Sequence, residues 1–292
     1  MEHLRIGTSG WVYAPWHGDF YPPDLRRGGE LAHLSGRMNS AEINASFYSL
    51  QRPRHFRAWA AATPADFVFA VKGSRYITHL KKLRGAETAL ANFLASGVLA
   101  LGPKLGPLLW QLPPSLRFDA DRMAEFFALL PRTTGRAADL AARHDERVTE
   151  HALPRGGRSR PVRHAVEVRH PSFATPEAVA LFREHGIALV VADTAGHWPY
   201  LEDITAEHVY VRLHGDEELY TSGYTAEALD RWAWLIDAWR RGESPRTERT
   251  AAEPAPPSGP REVFVYFDNT AAGRAPHDAM ALARRLQALS AP

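Results

Sequence analysis

At 292 residues, 45% hydrophobic and with a formal net charge of +2, the chain can bury one large core and carries too little net charge to require a polyanionic partner. It has no cysteine, which excludes disulfides, thiolate metal sites, thiolate-held iron–sulfur clusters and cysteine nucleophiles. No apolar run approaches the roughly 18 residues of a membrane span, and the opening MEHLRIGTSG has neither the basic segment nor the apolar core of a signal peptide; the expectation is a soluble, cytoplasmic protein with no membrane role.

In chain order, runs rich in β-branched or aromatic residues predict strands at 4–7, 40–44, 66–72, 106–111, 164–169, 187–193, 208–214 and 262–268. Helical patterns lie between them at about 29–37, 53–62, 86–100, 119–130, 176–185, 225–240 and 276–289. Thr175 and Thr225 suit N-caps, and Pro176 and Pro276 suit first turns. This alternation predicts an α/β chain of parallel strands joined by crossover helices, and eight repeats favour closure into a single (β/α)8 TIM barrel over residues 1–292. The unit at 195–206, short and containing Pro199, is the irregular one. Insertions precede strands five and eight. Residues 131–163 combine a helix near 136–147 with RGGRSRPVR, which reads as a mobile loop, and residues 242–260 are Pro-, Ala- and Ser-rich and read as a disordered loop.

Nearly every predicted strand ends in a residue that can do chemistry, and in barrels the loops after the strands build the active face. Period-two alternation turns Val209, Val211 and Leu213 toward the helices, leaving Tyr210, Arg212 and His214 inside; it treats Val263, Val265 and Phe267 likewise against Tyr266 and Asp268. The inward set is Glu42, Asn44, Lys72, Gln111, Glu167, Arg169, Asp193, Arg212, His214, Tyr266 and Asp268. Its charge is nearly balanced, which argues against a multi-metal centre; a single divalent ion on Glu167, Asp193, His214 or Asp268 stays open. Such a set reads either as a buried ion-pair network or as a ligand site. Barrel interiors are ordinarily filled with branched aliphatic side chains, so this much polarity favours a ligand.

The first loop holds Ser9, Trp11, Tyr13, Trp16 and Tyr21, which suit either a stacking wall for a ring or a plug against water. Gly7 and Gly10 suit close backbone approach. Ser9 does not stand on a nucleophile elbow. The third loop is the densest basic stretch near a strand end; Lys72, Arg75 and His79 suit an anion, whereas Lys81, Lys82 and Arg84 read as facing water. His214, with Glu42, Glu167 and Asp193 as partners, is the candidate for proton transfer.

The blocks GTSGWVYAPWHGDFYP at 7–22, EINASFYSLQRP at 42–53, FAVKGSRYITHLKKL at 69–83, LGPLLWQLPPSLRF at 105–118, AVEVRHPSF at 165–173, VVADT at 190–194, YVRLHG at 210–215 and VYFDNTAAGRAPHDA at 265–279 resemble the YecE-like family, a widespread domain of unknown function. The resemblance implies a (β/α)8 barrel and brings no reaction. Two positions depart from the family pattern: Asp268 stands where an asparagine is usual, and Phe173 where a tryptophan is usual.

The expected function is an enzyme acting on a small anionic, phosphate-bearing ligand by acid–base chemistry at the C-terminal face of the barrel. His214, Glu167, Asp193 and Glu42 are the catalytic candidates. Ser9, Trp11, Tyr13, Trp16, Asn44, Tyr48, Lys72, Arg75, His79, Gln111, Arg169, Arg212, Tyr266, Asp268 and Asn269 are the candidates for ligand binding. No organic cofactor is expected. Two alternatives stay open: a nucleic-acid-binding or metal-dependent endonuclease-like barrel, drawn from the basic third loop and RGGRSRPVR, and a non-catalytic ligand sensor.

Overall fold

Leu4 and Ile6 alternate with Arg5, Gly7 and Ser9, and the first strand takes that pattern literally: its aliphatic side chains join the outer core while Ser9 faces inward. The computed structural model describes residues 3–152 and 159–289. Its strands are β1 (Leu4–Ser9), β2 (Ser40–Ile43), β3 (Val68–Lys72), β4 (Leu105–Gln111), β5 (His164–Glu167), β6 (Ala188–Leu189), β7 (Val191–Asp193), β8 (His208–Leu213) and β9 (Glu262–Phe267). All pairings are parallel, in the order β6-β5-β4-β3-β2-β1-β9-β8-β7. The two ends of this order, β6 and β7, are consecutive halves of the sixth strand, parted only at Val190, whose N–H donates to the Val166 carbonyl at 3.0 Å. β6 pairs with β5 and β7 with β8, so the chain itself closes an α/β, TIM-like barrel.

The helices are α1 (Glu30–Ser35), α2 (Ala45–Tyr48), α3 (Pro53–Ala61), α4 (Glu87–Ala95), α5 (Ala120–Leu129), α6 (Thr134–Ala141), α7 (Pro176–Glu184), α8 (Ala226–Arg240) and α9 (Arg274–Leu289). Thr175 and Thr225 cap α7 and α8 through hydrogen bonds from the Ala178 and Ala228 N–H groups. The helix expected over 86–100 stops short. Gly97 takes a φ of +124°, and a Cβ there would stand 2.6 Å from the Pro53 Cα, so this crossing needs glycine and the chain continues as a 3-10 stretch. Gly7 is likewise required, since a Cβ would meet the Ser40 carbonyl oxygen at 1.9 Å between β1 and β2.

One apolar cluster packs the helices on the sheet, and a second fills the barrel with Ala70, Leu109, Ala165, Val190, Tyr210, Phe264 and Tyr266. Within the first insertion α6 buries Ala137 and Ala141, while Asn92 and Asp145 tie the following turn to α4 through paired hydrogen bonds of 2.8 and 2.9 Å. Of the expected mobile loop RGGRSRPVR, residues 155–158 lie outside the described residues, and the rest is anchored rather than mobile: Thr134 N–H donates to the Arg160 carbonyl at 2.8 Å and Val162 N–H to the Arg132 carbonyl at 2.9 Å. The second insertion corrects an expectation. Residues 242–260 form neither helix nor strand, yet they follow an anchored path rather than a disordered one: Asp203 accepts from the Ala251 and Ala252 N–H groups at 2.8 and 3.0 Å, and the Arg249 carbonyl accepts from Glu202 N–H. Buried carboxylate-to-amide bonds of this kind hold a path that composition alone does not reveal. The 195–206 unit has no helix.

Candidate functional site

The interior becomes polar toward the C-terminal ends of the strands, and Arg212 on β8 is its centre. The fully buried guanidinium donates from Nε and Nη2 to Glu42 Oε2 and Oε1 at 3.1 and 2.9 Å, and from Nη1 to Glu167 Oε2 at 2.6 Å. Nη2 also reaches Asp268 Oδ2 at 3.0 Å and Ser9 Oγ at 2.9 Å. Nη1 lies 3.3 Å from His214 Nε2. A guanidinium only donates, so this contact is a hydrogen bond only in the tautomer that leaves Nε2 free to accept. Nδ1 is 3.0 Å from Asp268 Oδ2, an ion-pair distance without hydrogen-bond alignment.

The remaining lone pairs are also occupied. Ser9 Oγ and the Tyr210 hydroxyl donate to Glu42 at 2.6 and 2.7 Å, and Arg169 Nε donates to Glu167 Oε1 at 2.8 Å. Burial alone pushes the Glu167 and Asp268 carboxyls up. Arg169, Arg212 and His214 outweigh that for Glu167, as Arg212, His214 and Lys72 do for Asp268, and both are held well below the usual carboxylate range. Glu42, Glu167, Arg212, His214 and Ser9 therefore meet inside the barrel, but as a closed network whose donors and acceptors, His214 Nδ1 apart, are spent on one another. None of them lines the cavity above.

That cavity has a volume of about 600 Å³ and is lined by Tyr13, Asn44, Phe47, Tyr48, Lys72, Arg75, His79, Leu80, Gln111, Arg169, Tyr220, Asp268 and Thr270. Lys72 and Gln111, 8% and 6% exposed, make no side-chain hydrogen bond among the described residues and keep their polar ends open to the cavity, and Asn44 Oδ1 on the same wall is fully buried without a partner. Lys72 Nζ stands 4.4 Å from the centre of the Phe47 ring, a cation–π contact on its apolar side. Burial, and then Arg212, lower its pKa to about 8 against the opposing pull of Glu42, Asp268 and Glu167. Arg169 stacks on Trp198 with Cζ 3.7 Å from the ring centre and donates from Nη2 to the Tyr220 hydroxyl at 3.3 Å. Burial, Arg169, Lys72 and Arg75 all lower the His79 pKa.

Several expected site residues lie elsewhere. Asp193 is not inward. In the split sixth strand Ala188, Val190 and Ala192 face the interior, so Asp193 turns outward and accepts from the Tyr224 hydroxyl at 3.3 Å. Of the four residues named as possible ligands of a single ion, Asp193 stands apart, Glu167, His214 and Asp268 are engaged with Arg212, and among the described residues no group of three or more His, Asp or Glu side chains is placed to hold a metal ion. The first-loop aromatics act mainly as a plug. Trp16 is fully buried and donates to the Thr270 carbonyl at 3.2 Å, and Trp11 packs edge-on against Trp59, which leaves Tyr13 as the loop's ring at the cavity. Tyr266 is sealed in the barrel against Ser40 Oγ at 2.7 Å. Asn269 points outward and donates to Ser222 O and Asp278 Oδ2 at 2.9 and 2.8 Å. Tyr48 is a rim residue, 69% exposed.

Sequence reasoning missed Phe47, Tyr220, Thr270 and Trp198. Phe47 is delivered by α2 and His79 by a π-helical turn at Tyr76–Leu80, a local widening frequent at functional sites. Tyr220 stands at a φ of +65°, a conformation no strand or helix pattern signals.

A family model described as "Protein of unknown function DUF72" matches residues 5–292. UPF0759 protein YunF of Bacillus subtilis is 29% identical over 116 residues, 38% of this chain and 40% of that protein. UPF0759 protein YecE of Escherichia coli K12 is 28% identical over 111 residues, 38% of each chain. The aligned region thus spans well under half the length of these curated relatives. Among solved structures, a DUF72 family protein of Thermotoga maritima superposes with a TM-score of 0.69 at 22% identity, covering 97% of this chain and 99% of that one. One of Enterococcus faecalis V583 does so with a TM-score of 0.68 at 15% identity, covering 97% and 95%. These likenesses concern the fold.

Proposed function

The chain belongs to the DUF72 family, whose function is unknown, and from its own residues we propose that it is an enzyme binding a small anionic, phosphate- or carboxylate-bearing ligand at the C-terminal face of the barrel. The observation that carries this reading is the convergence on one cavity of Lys72 and Gln111, whose polar ends make no hydrogen bond within the described residues, beside Arg75 and Arg169. Polar ends that face a cleft and are not spent on the protein itself are free to meet a ligand there. Arg169 and Arg75 line the same cavity, so cations and an amide donor outnumber the lining carboxylate, Asp268. Guanidinium groups suit the planar recognition of carboxylate and phosphate oxygens.

Proton transfer in this reading falls to groups that reach the ligand, namely Lys72, Asp268 and His79. Glu42, Glu167 and His214 support from below, fixing Asp268 and Arg169 in place. An array built in advance in this way is how a fold stabilises developing charge without reorganising during the reaction.

Thermal unfolding with inorganic phosphate, phosphosugars, small keto acids, nucleotides, divalent ions and short DNA tests the reading. A true ligand at about 100 times its Kd adds about 2.7 kcal/mol of stability, and Gln111→Ala lowers its affinity. If no anion shifts the intact protein, the reading falls; a shift produced by DNA alone, lost steeply with salt, replaces it with a nucleic-acid barrel.

A further inference from the structure

We propose that Lys72 is an imine-forming lysine: its Nζ condenses with the carbonyl carbon of a small anionic aldehyde or ketone held in the barrel-mouth cavity. The inference deepens the anion-site reading and rests on it. Lys72 ends β3, is more than nine-tenths buried, and has neither hydrogen bond nor ion pair for its side chain among the described residues. An ammonium kept only for structure is expected to be paired with a carboxylate, whereas this one has its stem buried and its Nζ open to the cavity. An amine in this position, by contrast, gains from low polarity on one side, since desolvation beside a second cation leaves a lysine its lone pair. Phe47 supplies the apolar side and Arg212 the second cation.

Composition sharpens the point. Four of the 35 basic residues are lysine, at positions 72, 81, 82 and 104, and the rest are arginine. At position 72 an arginine would serve an anion at least as well, through its fork of donors, but it cannot form an imine. The surrounding wall suits the other half of such a substrate: Arg169, Arg75 and the Gln111 amide can hold a carboxylate or phosphate while the carbonyl reaches the floor.

The step balances without a redox partner. Lys72 releases one proton from its ammonium to solvent, and the freed lone pair forms the C–N bond as the carbonyl π pair moves to oxygen. A proton passes from nitrogen to that oxygen, giving the carbinolamine. The hydroxyl then takes up one proton and leaves as water with the C–O electron pair, and the nitrogen lone pair closes the C=N bond. Ammonium and carbonyl thus become iminium and water. The iminium keeps the positive charge that Glu42, Asp268 and Glu167 already favour at this position.

Reductive trapping decides the matter. The intact protein is treated at pH 8 with glyoxylate, pyruvate or dihydroxyacetone phosphate and sodium cyanoborohydride, and adducts are mapped by peptide mass spectrometry. A lysine of pKa about 8 has on the order of 100 times the free-amine fraction of an ordinary lysine at this pH. Lys72 is therefore expected to label at least about tenfold ahead of Lys81, Lys82 and Lys104, and the leading adduct is expected to vanish in Lys72→Arg and Lys72→Met. Mapping the intact protein needs no variant to fold. Labelling spread evenly over the four lysines, or absent from Lys72, overturns the proposal. If the same compounds still raise the melting temperature, the anion site stands and only the covalent step falls; if they neither bind nor react, both fall.

Discussion

Arg212 and Glu42 meet side-on, Nε and Nη2 against the two carboxylate oxygens at 3.1 and 2.9 Å, with both side chains fully buried. The guanidinium has no donor left for a ligand, which makes it the keystone of the site's floor. Removing one partner of a buried ion pair leaves the other uncompensated, and such losses run to about 3–5 kcal/mol. Arg212→Leu strands Glu42, Glu167 and Asp268 together, so at least that loss is expected in urea unfolding at pH 7. A loss under about 1 kcal/mol, within the range of an ordinary surface substitution, would refute the assignment.

Lys72 is expected to reduce stability for the sake of the site. Its folded pKa, about 8, lies below that of an unfolded lysine. The unfolded chain therefore binds more protons between about pH 8 and 10.4, and stability rises with pH through that window. Lys72→Met should raise stability at pH 7 by up to about 3 kcal/mol, the upper bound from a shift of this size, and the gain should shrink toward pH 10. Equilibrium unfolding at both pH values checks the sign.

Asp193 behaves oppositely to the carboxylates inside the barrel. Burial pushes its pKa up to about 6, against hydrogen bonds from the Ala195 N–H and the Tyr224 hydroxyl. The folded state then binds more protons between about pH 4 and 6, so this group's contribution declines as pH rises through that window. Asp193→Asn should be more stable than the parent at pH 7, with the difference closing by pH 4. For Glu167 and Asp268, whose folded pKa values are lowered, the contribution is full above the unfolded value and is lost as pH falls below about 4.

Trp16 separates the plug from the stacking wall. It is fully buried and touches Tyr13, Phe20 and Tyr21. Trp16→Ala should cost about 3–5 kcal/mol, as truncation of a large core aromatic does. Trp16→Phe should retain most of the stability and all of the anion affinity, measured by thermal shift. A selective loss of ligand binding in Trp16→Phe would return this ring to the site.

The barrel was legible because its strands are short apolar runs with clean alternation. Tyr210, Arg212 and His214 fall inside as their spacing demands. Asp193 was misplaced because being last in an apolar run does not say which face a residue takes, and Val190 interrupts the strand. Lys72, Arg75 and His79 were legible as a basic cluster, whereas the exhaustion of every Arg212 donor depends on distances between strands remote in sequence. Tyr220 left no trace: a non-glycine residue at positive φ obeys no periodic pattern. The first loop showed its aromatics but not their role, since a plug and a wall use the same side chains.

The parting at Val190 gives the barrel a seam. Ala188 and Leu189 are bonded to β5, Val191 to Asp193 are bonded to β8, and each short segment has a ladder on one side only. Everywhere else along the circumference a strand is clasped from both sides. Local opening draws on the least-connected backbone, so thermal agitation should part the wall here before any other strand loosens. The molecule resembles a hooped cask with one overlapped stave: closed at rest, and with a preferred place to gape.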